Sequence, residues 1–331
     1  MRRGGRYFDF VCLPPKLPPL NWRAALFRLV VLPVARLPER ARYRVSDVLA
    51  VVLRRVIKYR RDVIDHNLRI AFPGRSDEQR AAIRDAFYAH FVDVALEQTW
   101  LFTATADELL ARTPMTNPEL LAELGRSGRP VMIAAGHHNN YEMGAASLAL
   151  QMNMPVAAIY APLVNPYFDQ RVRETRGRFG LELWPRPQVR RRLEEYRRRG
   201  DAYAIGFAID QSPRAGARKW WVPFFGRPTA TAGGVERFAR DLDAAVVYIH
   251  MRRVRRGFYA YTVELVAERV GDSAPGSIVA EVTRRLEEVI RRDPVGWLWS
   301  HRRWKLDPAR DRLAVDGIYP GDLTDPARDQ S

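Results

Sequence analysis

Short apolar runs recur along the chain at Val131 to Ala135, Val156 to Tyr160, Leu181 to Trp184, Tyr203 to Ile209 and Ala245 to Met251, and helical patterns fill most of the gaps. Strands joined by helices form a largely parallel sheet, because parallel pairing needs a long crossover and a helix supplies one on either face. Phe258 to Val266 alternates apolar and polar positions after a turn at Arg256 and Gly257, which predicts an edge strand. Ser76, with Gln79 three residues on, opens a long helical pattern through about Trp100, and Ser277 to Arg292 reads as another amphipathic helix. A chain of 331 residues with no linker in its middle is expected to form one α/β domain.

The chemistry is concentrated after the first of these runs, in VMIAAGHHNNYEMG (Val131 to Gly144). On a continuous helix an offset of five residues, at roughly 100° each, would turn His137 and Glu142 to different faces. His137 is therefore expected in the turn after Gly136, with Asn139 or Asn140 capping the next helix and Glu142 in its first turn. There His137 can fold back onto Glu142, and a carboxylate behind an imidazole fixes its tautomer and raises its basicity. That suits a general base taking a proton from a hydroxyl that attacks an acyl carbonyl. A capping histidine followed by a first-turn acid is the alternative reading of the same pattern. His138 is a rival base, and adjacent histidines invite a metal, but no H-E-x-x-H or cysteine cluster supplies further ligands. No serine lies in G-x-S-x-G and the only cysteine, Cys12, lies in the basic N-terminal arm, so direct transfer to a substrate hydroxyl is favoured over an acyl-enzyme.

The 54 Lys and Arg against 38 Asp and Glu give a net charge of +16, so the partner should be anionic. Nucleic acid, acidic phospholipid, a phosphorylated sugar and an acidic carrier protein all meet that condition. No apolar stretch is long enough to span a bilayer; Ala24 to Ala35 is interrupted by Arg28 and Pro33. Trp22, Leu26, Phe27, Leu29, Val30 and Val31, with Arg23, Arg28 and Arg36 among them, suit a helix in the membrane interface, or an ordinary packing helix. Met1 to Arg6 is basic, but the run after it is too short and proline-rich for a signal peptide. One cysteine argues against a disulfide scaffold, which places the protein in the cytoplasm at a membrane surface. Trp297, Trp299, His301, Arg302, Arg303, Trp304 and Lys305 interleave aromatics and cations; with no nucleic-acid module beside them, they read as a structural or interfacial segment.

The H-x4-[DE] spacing of His137 and Glu142 resembles that of the glycerolipid acyltransferases. Four further segments, IYAPLVNPYFDQRVRETRGRFG (Ile159 to Gly180), GFAIDQSP (Gly206 to Pro213), WVPFFGRPTATAGG (Trp221 to Gly234) and GWLWSHRRWK (Gly296 to Lys305), come after it in order. With YRRDVIDHNLRIAFPGRS (Tyr59 to Ser76), they resemble the late acyltransferases of lipid A biosynthesis, the lauroyl/myristoyl transferase family, from about Leu20 to Lys305. The resemblance implies a glycerolipid-acyltransferase-like α/β domain over 59–310, behind a basic, membrane-associating helical region over 1–58 and before a polar, weakly ordered tail over 311–331.

It also implies a peripheral or monotopic O-acyltransferase on the cytoplasmic face of the inner membrane, needing no cofactor or metal and binding no nucleic acid. Its donor would be an acyl-carrier-protein or CoA thioester, and its acceptor an anionic glycolipid, a lipid A precursor first, with lysophospholipid, phosphatidylinositol mannoside and amino-acid lipids as alternatives. A thioesterase and a non-catalytic basic protein binding membrane or nucleic acid are the competing readings. In the catalytic centre the resemblance places His137 as base, Glu142 as its orienter, and Arg176 and Asp210 as a supporting ion pair. Asn140, Tyr160, Asn165 and Gln211 are substrate-binding candidates, Trp220, Trp221, Phe224 and Phe225 could line an acyl groove, and Thr229 and Thr231, placed before a helix from about Gly234, could receive a phosphate or act as caps. The pattern is broken at Ala161, where the family carries arginine, and between the histidine and the acid, where His138, Asn139, Asn140 and Tyr141 replace a less polar set.

Overall fold

The computed structural model describes residues 22–271, 273–311 and 315–318, which leaves Cys12 and the basic arm from Met1 to Arg6 outside the described residues. Six strands, β1 (Val131–Ala135), β2 (Val156–Tyr160), β3 (Leu181–Pro185), β4 (Ala204–Ala208), β7 (Ala245–Arg255) and β8 (Phe258–Ala267), form the central sheet in the order β3-β2-β4-β1-β7-β8. Every pairing is parallel except β7 with β8, so the mostly parallel sheet expected from the sequence is present, with β8 at its edge.

Side chains alternate between the two faces of β1, and each face has its own core. Met132 and Ala134 pack with residues of the helices Asp77–Trp100, Val189–Arg199, Gly234–Asp241 and Ser277–Arg292. Val131 and Ile133 face the opposite layer, where Met143, Ala146 and Leu148 of the helix Tyr141–Gln151 cover the sheet. The long helix begins where the sequence places it: Ser76 Oγ accepts from Gln79 N and Gln79 Oε1 accepts from Ser76 N, a reciprocal cap.

Adjacent strands β1 and β4 send their chains to opposite faces, β1 into Tyr141–Gln151 and β4, through a small second sheet, into Gly234–Asp241. Such a divergence opens a crevice at the carboxyl ends of the two strands, where α/β sheets bind ligands. The register aligns Ala135 with Ala208, and Ile209 N donates to Ala135 O at 3.1 Å, so positions 137 and 210 emerge side by side.

The second sheet pairs β5 (Lys219–Phe224) with β6 (Arg227–Thr231) and with β9 (Val315–Ile318). Phe225 and Gly226 make the hairpin turn with φ of 51° and 69°, the doubly left-handed geometry that matches strand twist. Val315–Ile318 thus adds a strand within the segment expected as a polar tail, and Thr229 and Thr231 lie in β6, just before the helix Gly234–Asp241 that the sequence places there.

At the N-terminal end the helical stretches Trp22–Leu26, Phe27–Val31 and Leu32–Ala35 run on, followed by Glu39–Val52 and Leu53–Ile57. Phe27 turns inward against Phe102, at a ring separation of 5.1 Å, so it leaves the expected interfacial set. Buried Asp93 holds this region to the sheet hairpin, accepting from Ser46 Oγ at 2.6 Å and from Arg253 and Arg256. Trp22, Leu29, Val30, Val48, Val56 and Ile57 remain exposed. Among the described residues no helix is long and apolar enough to cross a membrane.

Candidate active site

The turn after β1 is built by the backbone. Asn139 adopts a left-handed conformation (φ 54°), its N–H donates to Gly296 O at 2.8 Å, and Leu298 N donates to His137 O at 3.1 Å. A short antiparallel bridge thereby fixes His138 against Trp297. Gly296 is required by this close approach, since a Cβ there would lie 2.8 Å from Asn139 Oδ1 and His138 Cε1. The Gly296 to Lys305 segment, read from sequence as structural or interfacial, therefore holds the turn in place.

Within that turn His137 Nδ1 lies 2.7 Å from Asp210 Oδ1, and the His137 backbone N–H donates to Asp210 Oδ2 at 2.7 Å. Trp297 Nε1 donates to the same Oδ2 at 2.9 Å. A carboxylate only accepts, so Nδ1 carries the proton and the Nε2 lone pair is left to take another. Gln211 Nε2 sits 3.3 Å from that Nε2, and the Tyr141 ring meets the imidazole edge-on at 4.6 Å. Burial disfavours the imidazolium, but the charge and hydrogen bond of Asp210, with a contribution from Glu142, outweigh it and raise the His137 pKa. Burial also works against the Asp210 carboxylate; His137 and the donors around it prevail and hold its pKa far below the usual range.

Partners are therefore exchanged relative to the sequence expectation. Asp210, not Glu142, stands behind the imidazole, and Glu142 is paired instead with Arg176 from the helix Pro166–Arg178. That pair is bidentate, with Nη2 at 2.6 Å and Nε at 3.0 Å from the carboxylate oxygens. The reason is strand register: Asp210 leaves β4 beside the His137 turn, while Glu142, one residue into its helix, projects toward the helix that comes after β2. His138 is a structural histidine in this arrangement, since both ring nitrogens are engaged, Nε2 with Asp293 O at 2.9 Å and Nδ1 with Asn139 Nδ2 at 3.0 Å.

The other sequence candidates separate into two groups. Gln211 is at the His137 ring, and Tyr160 ends β2 with its hydroxyl donating to Asp169 at 3.0 Å, one residue before exposed Ala161. The rest have their polar groups engaged within the protein. Asn140 caps Tyr141–Gln151 through Met143 N and donates to buried Glu97 at 2.8 Å; Asn165 caps the helix Pro166–Arg178. Thr229 Oγ1 accepts from Trp304 Nε1 and Thr231 Oγ1 from Arg303, whose burial without a carboxylate partner pushes its pKa down to about 10. Phe224 and Phe225 pack on Trp304 in the core, with Phe224 also against Trp297 and Phe225 against Phe72.

The apolar space lies elsewhere. A chamber of about 110 Å³ opens beside Gly136 and Tyr141 and runs between the helix Tyr141–Gln151 and the sheet, past Gly144, Met251, Leu148 and Leu181. Beyond the His137 motif itself, no residue of this chamber stood out in the sequence, because Leu148, Leu181 and Met251 read as ordinary core positions. Trp297 is the other site residue whose role escaped the sequence, although its signal was present in the GWLW run.

A strand-end imidazole with its tautomer fixed by a buried carboxylate, in a turn whose neighbouring residues Gly136, His138 and Tyr141 line an apolar chamber, is equipment suited to an α/β enzyme that activates a hydroxyl for attack on an acyl group. The family model described as bacterial lipid A biosynthesis acyltransferase matches residues 16–306, and the chain belongs to that family. Among its relatives are a lipid A biosynthesis lauroyltransferase of Escherichia coli strain K12, 26% identical over 88% of this chain and 94% of its own length, and a lipid A biosynthesis palmitoleoyltransferase of the same strain, 26% identical over 78% and 83%. A lipid A biosynthesis acyltransferase of Haemophilus influenzae is 22% identical over 86% of this chain and 87% of its own. The resemblance read from the ordered motifs is thus borne out, and the protein is an acyltransferase.

Proposed function

We propose that the enzyme moves a fatty acyl group from a thioester of acyl carrier protein or CoA to a hydroxyl of an anionic glycolipid, a lipid A precursor first among them, at the cytoplasmic face of the inner membrane. The observation that carries this reading is the His137–Asp210 pair, which directs Nδ1–H to the carboxylate and leaves Nε2 as the acceptor, in a turn whose neighbouring residues Gly136 and Tyr141 line the apolar chamber. In the reaction Nε2 takes the acceptor hydroxyl's proton as its oxygen attacks the thioester carbonyl. The tetrahedral intermediate collapses with cleavage of the C–S bond, and the imidazolium returns its proton to the departing thiolate. Asp210 orients the ring and stabilises its charge.

The acyl chain occupies the chamber, where its burial contributes roughly 0.8 kcal/mol per methylene. The Glu142–Arg176 pair uses Nε and Nη2 of the guanidinium and leaves Nη1 to stabilise the oxyanion. Trp22, Leu29 and Val30 rest in the membrane interface with the arginines of their helical stretch at the headgroups.

The test is thioester consumption by the purified protein with acyl-carrier-protein and CoA donors, with and without lipid acceptors, for wild type, His137→Ala and Glu142→Ala. Acceptor-dependent turnover abolished in His137→Ala is expected. Turnover that ignores the acceptor would mean a thioesterase, and a fully active His137→Ala protein would overturn the assignment of the base.

A further inference from the structure

Next to the catalytic crevice lies a second cavity, of about 530 Å³, whose charged lining is Lys58, Arg60, Arg61, Arg302 and Lys305 against a single carboxylate, Asp62. All five cations are exposed, and among the described residues Lys58, Arg302 and Lys305 have no carboxylate within ion-pair distance. Like charges held together repel, so the fold must restrain them. It does so at two walls.

Lys58 and Arg60 both adopt left-handed backbone conformations, with φ of 52° and 49°, each costing a non-glycine residue about 1–2 kcal/mol. Tyr88 Oη donates to Tyr59 O at 2.8 Å between them, and Arg60 Nη1 donates to Ser300 O at 2.9 Å, reaching the opposite wall. That wall is pinned by Asn67, whose Nδ2 donates to both Trp299 O and His301 O at 2.8 Å. The groove therefore has its shape before any ligand arrives.

It also has a fixed relation to the base. His301, which lines the groove, accepts from Ser212 N at 3.0 Å, and the preceding residue, Gln211, reaches His137 Nε2. On its other side the groove begins where an exposed apolar strip, through Val48, Val52, Val56 and Ile57, ends at Lys58. A ligand bridging these features has a hydroxyl near His137, an anionic group among the cations and apolar chains alongside the strip.

We propose that this groove is the subsite for a phosphate group of the acyl acceptor, so that the enzyme selects phosphorylated lipids and registers their free hydroxyl on His137. The proposal rests on the acyl-transfer reading above. A concave site of this size fits a phosphosugar headgroup better than the convex surface of an acidic carrier protein.

The experiment compares the full-length wild type with Arg302→Ala/Lys305→Ala and with the charge-conserving Arg302→Lys/Lys305→Arg, using one acceptor glycolipid with and without its phosphate. The alanine pair is expected to raise KM for the phosphorylated acceptor by about 10- to 100-fold, to lose the preference for it, and to leave KM for the thioester donor in place; the conservative pair should restore most of the preference. A raised donor KM with the acceptor preference intact would assign the groove to the donor's phosphates and overturn the proposal, as would an unchanged preference. Calorimetry with glucose 1-phosphate against glucose separates this from the reaction itself. Binding that needs the phosphate and is lost in the alanine pair supports the subsite even if no thioester is consumed, whereas turnover without such binding rejects the subsite alone.

Discussion

Asp210 makes three hydrogen bonds with its two oxygens, and the consequence for His137 is a raised pKa in a site that burial alone would lower. A base works in its neutral form. Because the folded pKa lies above the ordinary value near 6.5, kcat/KM is expected to fall on acidification through a midpoint above that value. Asp210→Asn removes the charge but keeps the shape; kcat is expected to drop about 10³- to 10⁴-fold and the acid limb to move to lower pH, read from a pH–rate profile. A limb that stays in place would separate Asp210 from the base. His137, Glu142, Arg176 and Asp210 were all legible as residues in the sequence, and all four meet at the crevice. Their pairing was not, because local spacing is informative only about the near neighbours of His137 along the chain, whereas β4 reaches it from a strand 73 residues away.

At the scale of elements, strands and the main helices arise from periodicity and caps, since each is a local pattern that burial reinforces. The second sheet escaped the same reading. Its hairpin turns on Phe225 at positive φ, a conformation that sequence rules assign to glycine or asparagine, so the aromatic run looked like a groove lining instead of a strand and a turn. The chamber arises between elements and has no local signature. Gly144 leaves its helix flat toward the sheet, and a Cβ there would meet Met251 Cε at 2.7 Å, the movable end of a flexible side chain. Gly144→Leu is expected to shift the preferred donor toward chains several carbons shorter, and Met251→Ala toward longer ones, measured as product distribution from an equimolar donor mixture. Equal changes for all chain lengths would remove the chamber from substrate binding.

Over the whole molecule, charge and exposed apolar surface lie on the same N-terminal helices, which suits an interface of lipid and water. Vesicles containing anionic phospholipid are expected to bind the protein, neutral vesicles to bind it about tenfold or more weakly, and salt to narrow the difference, as measured by co-flotation. Val48→Asp/Val56→Asp should weaken both without unfolding the protein, because these side chains are already exposed. Equal binding of neutral and anionic vesicles would remove headgroup charge from the mechanism. Sequence composition gave the sign of this surface; only the folded helices show which apolar residues remain outside, Phe27 having turned in.

The carboxylate of Asp210 joins backbone and side chain of residue 137 to the indole of residue 297, positions separated from it by 73 and 87 residues. Contacts of such separation form late, after the sheet has closed its loops. A chain still emerging from the ribosome, or one half assembled, thus lacks the contacts that orient the His137 ring until the tryptophan loop that follows the helix Ser277–Arg292 has arrived. Maturation of the fold is itself the gate on that orientation.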